Sequence, residues 1–477
     1  MARKPIPLGA PPPNPPHTLD VGITRTHSGA GSTLPQDRTG SSSVPPPQPH
    51  ASEAIEQAGP GPSSLPPSPG NSSDSQEADT STQVPVLPGE APQKRPRTVL
   101  PPPRAALPEP IPPSELLFPD RTSGPVHPPN SAGHFQYEVG ENLTARFKIM
   151  RKFGEGTFGQ VLECWDRRRG EYVALKVIRC VQKYRDAAMV ELRVLRTILE
   201  HDPGGRWHCV RLLDWFDYRG HVVMVFERLG PSLYDYLRKN DYAAFPLDLV
   251  RDTARQLLEA LAFLHSLGLV HTDLKPENVL QRGVEVVRAS WPSGSRLARR
   301  LPATHALCLV DFGSAAWDAD AHAHVVSTRH YRAPEVVLGA GWSWPADLWS
   351  LGCMVVEMLT GDALFATHEN AEHLAMMQAA LGTLPRRLVE AGRAPDVARL
   401  FKSSVLDWPA VASSKKSVKA VSRTRSLRTL LVSRGDSSMQ PHLEIVLDLV
   451  QRLLAFQPDE RGSAASLLRH PFFSLRL

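Results

Sequence analysis

From residue 131 onward the apolar positions keep two rhythms. Phe147 to Phe153 reads as a strand, Val223-Met224-Val225-Phe226 as an apolar strand, and Val173-Ala174-Leu175-Lys176-Val177 as an apolar strand broken by one lysine. Between them Met189, Leu192, Leu195 and Leu199 recur at helical spacing, which predicts a helix over 186–199 carrying Glu191. Later, Leu374, Met377 and Leu381 mark the inward face of another helix. Residues 1–130 keep neither rhythm. They hold 32 of the 46 prolines, one Phe and no Trp or Tyr, so they cannot bury enough apolar surface to offset chain entropy. That tail is expected to be disordered, with polyproline II stretches such as Pro45-Pro46-Pro47-Gln48-Pro49 that suit SH3 or WW domains. Lys94-Arg95-Pro96-Arg97 is a short basic cluster that an import receptor could reach.

Chemistry enters where these elements meet polar residues. Phe153, the end of its strand, runs into Gly154-Glu155-Gly156-Thr157-Phe158-Gly159-Gln160-Val161, and Leu162-Glu163-Cys164 follows. A glycine pattern between strands suits a hairpin flap over phosphates, because backbone N–H groups can approach where a Cβ would collide. Lys176 is awkward to bury alone, and an ion pair with Glu191 would fix its ammonium against the α- and β-phosphates. His271-Thr272-Asp273-Leu274-Lys275-Pro276-Glu277-Asn278 precedes Asp311-Phe312-Gly313, across a gap long enough for a strand, a hairpin and a second strand. In that order the two blocks supply a base, Asp273, and two magnesium ligands, Asn278 and Asp311. Lys275 would offset charge on the γ-phosphoryl group.

Ala333-Pro334-Glu335, Asp347 in Trp344-Pro345-Ala346-Asp347-Leu348-Trp349-Ser350, and Asp459-Glu460-Arg461 complete seven blocks in one order. On these motifs residues 135–477 resemble a eukaryotic protein kinase domain, and more narrowly the LAMMER kinases, the CLK family. The narrowing rests on Thr272 where most kinases carry Arg, on Ser327-Thr328-Arg329-His330-Tyr331-Arg332, and on Glu372-His373-Leu374-Ala375-Met376-Met377. Gln378-Ala379 departs from the Glu-Arg that usually ends that signature. The resemblance implies an α+β, bilobal fold, with a small antiparallel sheet and one helix over about 135–228 and a mostly helical lobe over 229–477. It implies ATP and magnesium as cofactors, with adenine beside the segment 223–230, Phe226 at the back, Glu227 and Leu229 offering backbone groups, Ala174 as roof and Leu280 as floor, and it implies a Glu335–Arg461 pair bracing the substrate segment and Asp347 holding the catalytic loop. Thr328 is implied to bridge Asp273 and Lys275, with Ser327 its less constrained neighbour. Thr272 replaces the cation that grips a phosphorylated activation loop, so activity without an upstream kinase is expected. Lys275 points to Ser/Thr acceptors, and Arg332 just before Ala333-Pro334-Glu335 resembles the cyclin-dependent, mitogen-activated and LAMMER group of kinases. The family implies Arg/Ser-rich splicing factors, some tyrosine autophosphorylation and a nuclear location, with cytoplasm as a second site.

Composition changes the picture little. A net charge of +5 and a pI near 9.0 are too mild to argue for nucleic-acid binding, no run is long and apolar enough for a membrane, and no signal-peptide core opens the chain. With neither feature, a soluble, intracellular chain is expected, and a monomer; the five cysteines show no paired spacing, so reduced and mostly packed thiols are expected. Two basic inserts stand out: Arg296, Arg299 and Arg300 before Asp311, where LAMMER kinases carry a hairpin, and Lys415 to Arg434, read as solvated surface. Three alternatives fit less well. A DYRK-type kinase would carry Tyr-x-Tyr where only Tyr331 occurs, a pseudokinase scaffold would have lost Lys176, Asp273, Asn278 or Asp311, and an SRPK-type kinase would need a long spacer after Phe226.

Overall fold

A computed structural model describes residues 127–290, 298–320, 325–435 and 437–477. The tail before residue 127, its proline runs and basic cluster, and Arg296 lie outside the described residues. Strands β1 (Phe147–Gly156), β2 (Gly159–Asp166), β3 (Glu171–Ile178), β4 (Leu212–Tyr218) and β5 (His221–Glu227) form one antiparallel sheet in the order β1-β2-β3-β5-β4. The strand pattern decides which side faces the cleft. Val173, Leu175 and Val177 of β3 join Phe147, Leu162, Phe216, Val223 and Val225 in a small core on one face of the sheet. Ala174 and Lys176 therefore face the other way.

β1 continues three residues past Phe153. The glycines do not end it, because Gly154 pairs with Val161, Glu155 with Gln160 and Gly156 with Gly159 before the chain turns at Thr157-Phe158. Gly159 is required by close approach, since a Cβ there would lie 2.2 Å from the Val177 carbonyl oxygen. Helix α1 (Gln182–His201) also outruns its apolar spacing, its first turn carrying Tyr184 as its one apolar residue. Buried Arg146 ties the sheet together, donating from Nε to Asp166 Oδ1 at 2.9 Å and from Nη2 to Asp214 Oδ2 at 2.9 Å.

Beyond the sheet come α2 (Leu233–Lys239), α3 (Leu247–Ser266), α4 (Pro334–Leu338), α5 (Pro345–Thr360) and α6 (Asn370–Leu381). Every residue of α5 is buried, as expected of a helix that is apolar on nearly all sides. It is the axis of the large lobe, and its charged residues are Asp347 and Glu357. On α6, Leu374 and Met377 are buried and Leu381 partly so, while Gln378 accepts from the Leu384 N–H at 3.2 Å and Ala379 is exposed.

Short strand pairs carry the catalytic segments: β6 (Leu269–Val270) pairs with β11 (Ala316–Trp317), and β7 (Val279–Gln281) with β10 (Leu307–Leu309). Between β7 and β10 lies the hairpin β8 (Val286–Ser290) and β9 (Ala298–Pro302), so the gap holds the strand, hairpin and strand expected of it. The basic insert differs from its reading as solvated surface. It folds into α7 (Lys415–Ser422) and α8 (Leu427–Arg434), capped by Ser414 and Ser426, and buries Val421, Leu427 and Leu431.

Candidate active site

Lys176, on the cleft side of β3, donates from Nζ to Glu191 Oε1 at 2.7 Å, to Oε2 at 3.0 Å, and to Asp311 Oδ1 at 2.9 Å. Burial opposes its charge, but the two carboxylates hold its pKa above the ordinary lysine value. Lys176 in turn lowers Asp311 to about 2, and burial pushes Glu191 up. Asp311 sits at φ 62°, a left-handed conformation uncommon outside glycine, and Phe312 anchors it from a buried position against the His271 ring.

The catalytic loop is held from below. Asp347, at the start of α5, accepts the His271 N–H at 2.9 Å and the Thr272 N–H at 2.8 Å, and its Oδ2 also lies 3.0 Å from His265 Nε2. Thr272, at φ 68°, donates its hydroxyl to the Ser314 carbonyl at 2.7 Å and so joins this loop to the segment after Asp311. Asp273 Oδ1 accepts from the Thr328 hydroxyl at 2.6 Å and the Thr328 N–H at 3.0 Å, and Lys275 Nζ donates to Asp273 Oδ2 at 2.7 Å. Lys275 also reaches Thr328 Oγ1 at 3.1 Å. Burial alone would raise the Asp273 pKa, but Lys275 and these hydrogen bonds hold it below the usual aspartate value. Asn278 donates Nδ2 to the Asp273 carbonyl at 2.9 Å.

Ser327 is not the less constrained neighbour. It lies at φ 67°, its hydroxyl is buried, and Arg332 donates to its carbonyl at 2.8 Å. The segment is anchored by Arg461, which donates to both oxygens of Glu335 at 2.6 and 2.7 Å and lies over the Trp349 ring at 5.1 Å.

A cleft of about 830 Å³ lies between sheet and large lobe. Phe153, Gly154, Gly156, Thr157, Phe158, Gly159 and Val161 line it from the flap, and Ala174, Lys176, Glu191, Phe226, Glu227, Leu229 and Leu280 line it deeper, with Asn278 and Asp311 at its floor. Glu155 and Gln160 do not line it: Gln160 Nε2 donates to Glu155 at 3.3 Å, and Glu155 also pairs with Lys152. The reason is the strand period, which turns neighbours of the cleft-facing residues away. Arg282 holds the Glu227 side chain at 3.1 Å, outside the role assigned to its backbone. Sequence reading passed over Arg228, Asp235 and Val310, which also line the cleft. Asp235 had a visible signal, the Ser232–Asp235 capping box that opens α2.

A cation braced by a helix carboxylate and an aspartate facing one cleft, with a clamped aspartate hydrogen-bonded to Asn278 at the cleft floor, define a phosphoryl-transfer site on a two-lobed scaffold. The protein kinase domain family matches residues 147–473, and the chain belongs to it. It is an ATP-dependent protein kinase that uses a divalent metal and acts on proteins. The serine/threonine-protein kinase AFC2 of Arabidopsis thaliana is 49% identical over 360 residues, 74% of this chain and 83% of that protein. The human dual specificity protein kinase CLK2 is 42% identical over 346 residues, 72% of this chain and 67% of its own. The crystal structure of the PF14_0431 kinase domain superposes with a TM-score of 0.66 at 33% identity, over 72% of this chain and all of the other. Within the family, the chain is a LAMMER kinase of the CLK group of serine/threonine and dual-specificity kinases.

Proposed function

We propose that residues 131–477 transfer the γ-phosphate of ATP to serine and threonine hydroxyls of Arg/Ser-rich splicing factors in the nucleus, and do so without prior modification by another kinase. The observation that carries this reading is the closed catalytic group, Asp273 held by Thr328 and Lys275 while Lys176 is paired with Glu191, all through the chain's own side chains. Asp273 orients the acceptor hydroxyl and takes its proton as the new O–P bond forms and the bond from the γ-phosphorus to the β,γ-bridging oxygen breaks, ADP leaving with that bonding pair. Lys275 offsets charge on the transferred group, and Lys176 faces the α- and β-phosphates. Asn278 turns its amide nitrogen to the Asp273 carbonyl and keeps Oδ1 for a metal, and Asp311 keeps its second oxygen. Hard oxygen donors of this kind suit magnesium, which when bound supplies positive charge at the phosphate oxygens.

Independence from an upstream kinase is supported by Thr272. Its hydroxyl makes a direct bond to Ser314, in the place where an arginine would need a phosphate to close the same link. Basic substrates are supported by Glu277, exposed on the catalytic loop beside Asn278. Family membership supports the splicing-factor class, the nuclear site and tyrosine autophosphorylation. SH3 or WW domains as partners of the tail, and a monomer, belong to the same reading. The test is transfer from magnesium ATP to an Arg-Ser repeat peptide and a generic basic peptide by the full chain, with Asp273→Asn as control. Preference for the Arg-Ser peptide, abolished by Asp273→Asn, is expected; equal use of both peptides would remove the splicing-factor assignment.

A further inference from the structure

The segment from Lys415 to Arg434 carries seven cations and no carboxylate. Helices α7 and α8 seat its apolar residues in the large lobe and turn its charges outward. With the loop 362–366 after α5 and Met376 of α6, they enclose a second cavity of about 340 Å³, distinct from the nucleotide cleft. Leu364, Met376 and Leu430 make its floor apolar, while Arg423, Arg425 and Arg434 line its rim. Arg434 is paired with Asp362. Arg425 uses one N–H on Ser433 Oγ at 2.8 Å, and the Arg423 side chain has no partner among the described residues.

We propose that this groove docks a phosphoserine segment of a protein the kinase has already modified. The arginines carry planar forks of donors that match phosphate oxygens bidentately, whereas an isolated carboxylate answers one fork. A phosphoserine brings close to two negative charges and three acceptor oxygens to a rim with a surplus of cations. The apolar floor takes a neighbouring side chain of the same segment. Location gives this docking a consequence for substrate choice. Asp347 holds the catalytic loop at one end of α5 and Asp362 opens the groove beyond the other, an axial separation of roughly 20 Å at the helical rise. An extended peptide needs about six residues or more to cover that span. The groove therefore retains a substrate with several serines after its first phosphorylation and presents a distant one to Asp273. This rests on the kinase assignment alone and not on the Arg/Ser reading.

The experiment measures binding of three labelled peptides to the full chain by fluorescence anisotropy: a Gly/Leu-rich peptide with one serine, its phosphoserine form, and its Ser→Glu form. The phosphoserine form is expected to bind about tenfold tighter than the other two. In the R423A/R425A double variant the three are expected to become equal. Both arginines are exposed, so the variant should keep the wild-type melting temperature and its transfer rate to an unphosphorylated basic peptide. Equal binding of the three forms to wild-type protein, equal binding of the glutamate and phosphoserine forms, or a phosphoserine preference that survives in the double variant would each overturn the proposal. Because the readout is binding, failure of the transfer assay leaves it separately decidable.

Discussion

Asp273 is the residue on which the chemistry turns, and its clamp makes distinguishable demands. Asp273→Asn keeps the shape but cannot take the hydroxyl proton, so kcat is expected to fall by roughly 10²–10⁴-fold with ATP affinity intact. Thr328→Ala removes a hydrogen bond to a charged oxygen, about 1.5–3 kcal/mol, so a loss of roughly 10- to 100-fold in kcat/KM is expected, with recovery in Thr328→Ser. Glu357 gives a pH-dependent signature. Burial in α5 pushes its carboxyl up to about 7, although the Tyr331 hydroxyl donates to it at 2.7 Å. A carboxyl raised on folding binds more protons in the native than in the unfolded chain between its ordinary value and about 7, so its contribution to stability falls as pH rises through that window. Glu357→Gln is expected to flatten the decline in melting temperature between pH 5 and pH 8 by a few degrees, and an unchanged profile would contradict the assignment.

At the scale of elements, legibility followed how conspicuous each residue was in its own strand or helix. Lys176 could be paired with Glu191 from sequence because a charge in an apolar strand demands a partner, and the β3 period turned it to the cleft. The same signal at Glu357, the second acid of a nearly all-apolar helix, went unread. Glu155 and Gln160 were assigned to the flap along with their neighbours, since a contiguous motif conceals the alternation that turns those side chains away. The helices of the basic insert were hidden because three buried apolar side chains among seven cations leave too weak a period. The Glu335–Arg461 pair was anticipated, and its burial sets a large penalty: Arg461→Ala strands a carboxylate and is expected to cost about 3–5 kcal/mol, read as a lowered denaturation midpoint. Loss of transfer with unchanged stability would move that pair from bracing to chemistry.

At the scale of the molecule, sheet and large lobe meet around a cleft whose catalytic contacts are already made. The Lys176–Glu191 pair aligns α1, Asp347 suspends the catalytic loop from α5, and Thr272 joins that loop to the segment leading to Thr328. None of these contacts requires a phosphate. A kinase built this way is expected to be limited by access to substrate and not by a switch, and the groove beside α7 and α8 adds a way to hold a substrate once marked. The most direct measurement is the initial rate of phosphate transfer by the full chain after phosphatase treatment, with mass spectrometry confirming that no phosphate remains. Full rate from the first turnovers, without a lag, is the expected result. Near-zero transfer that only a second kinase restores would contradict the account.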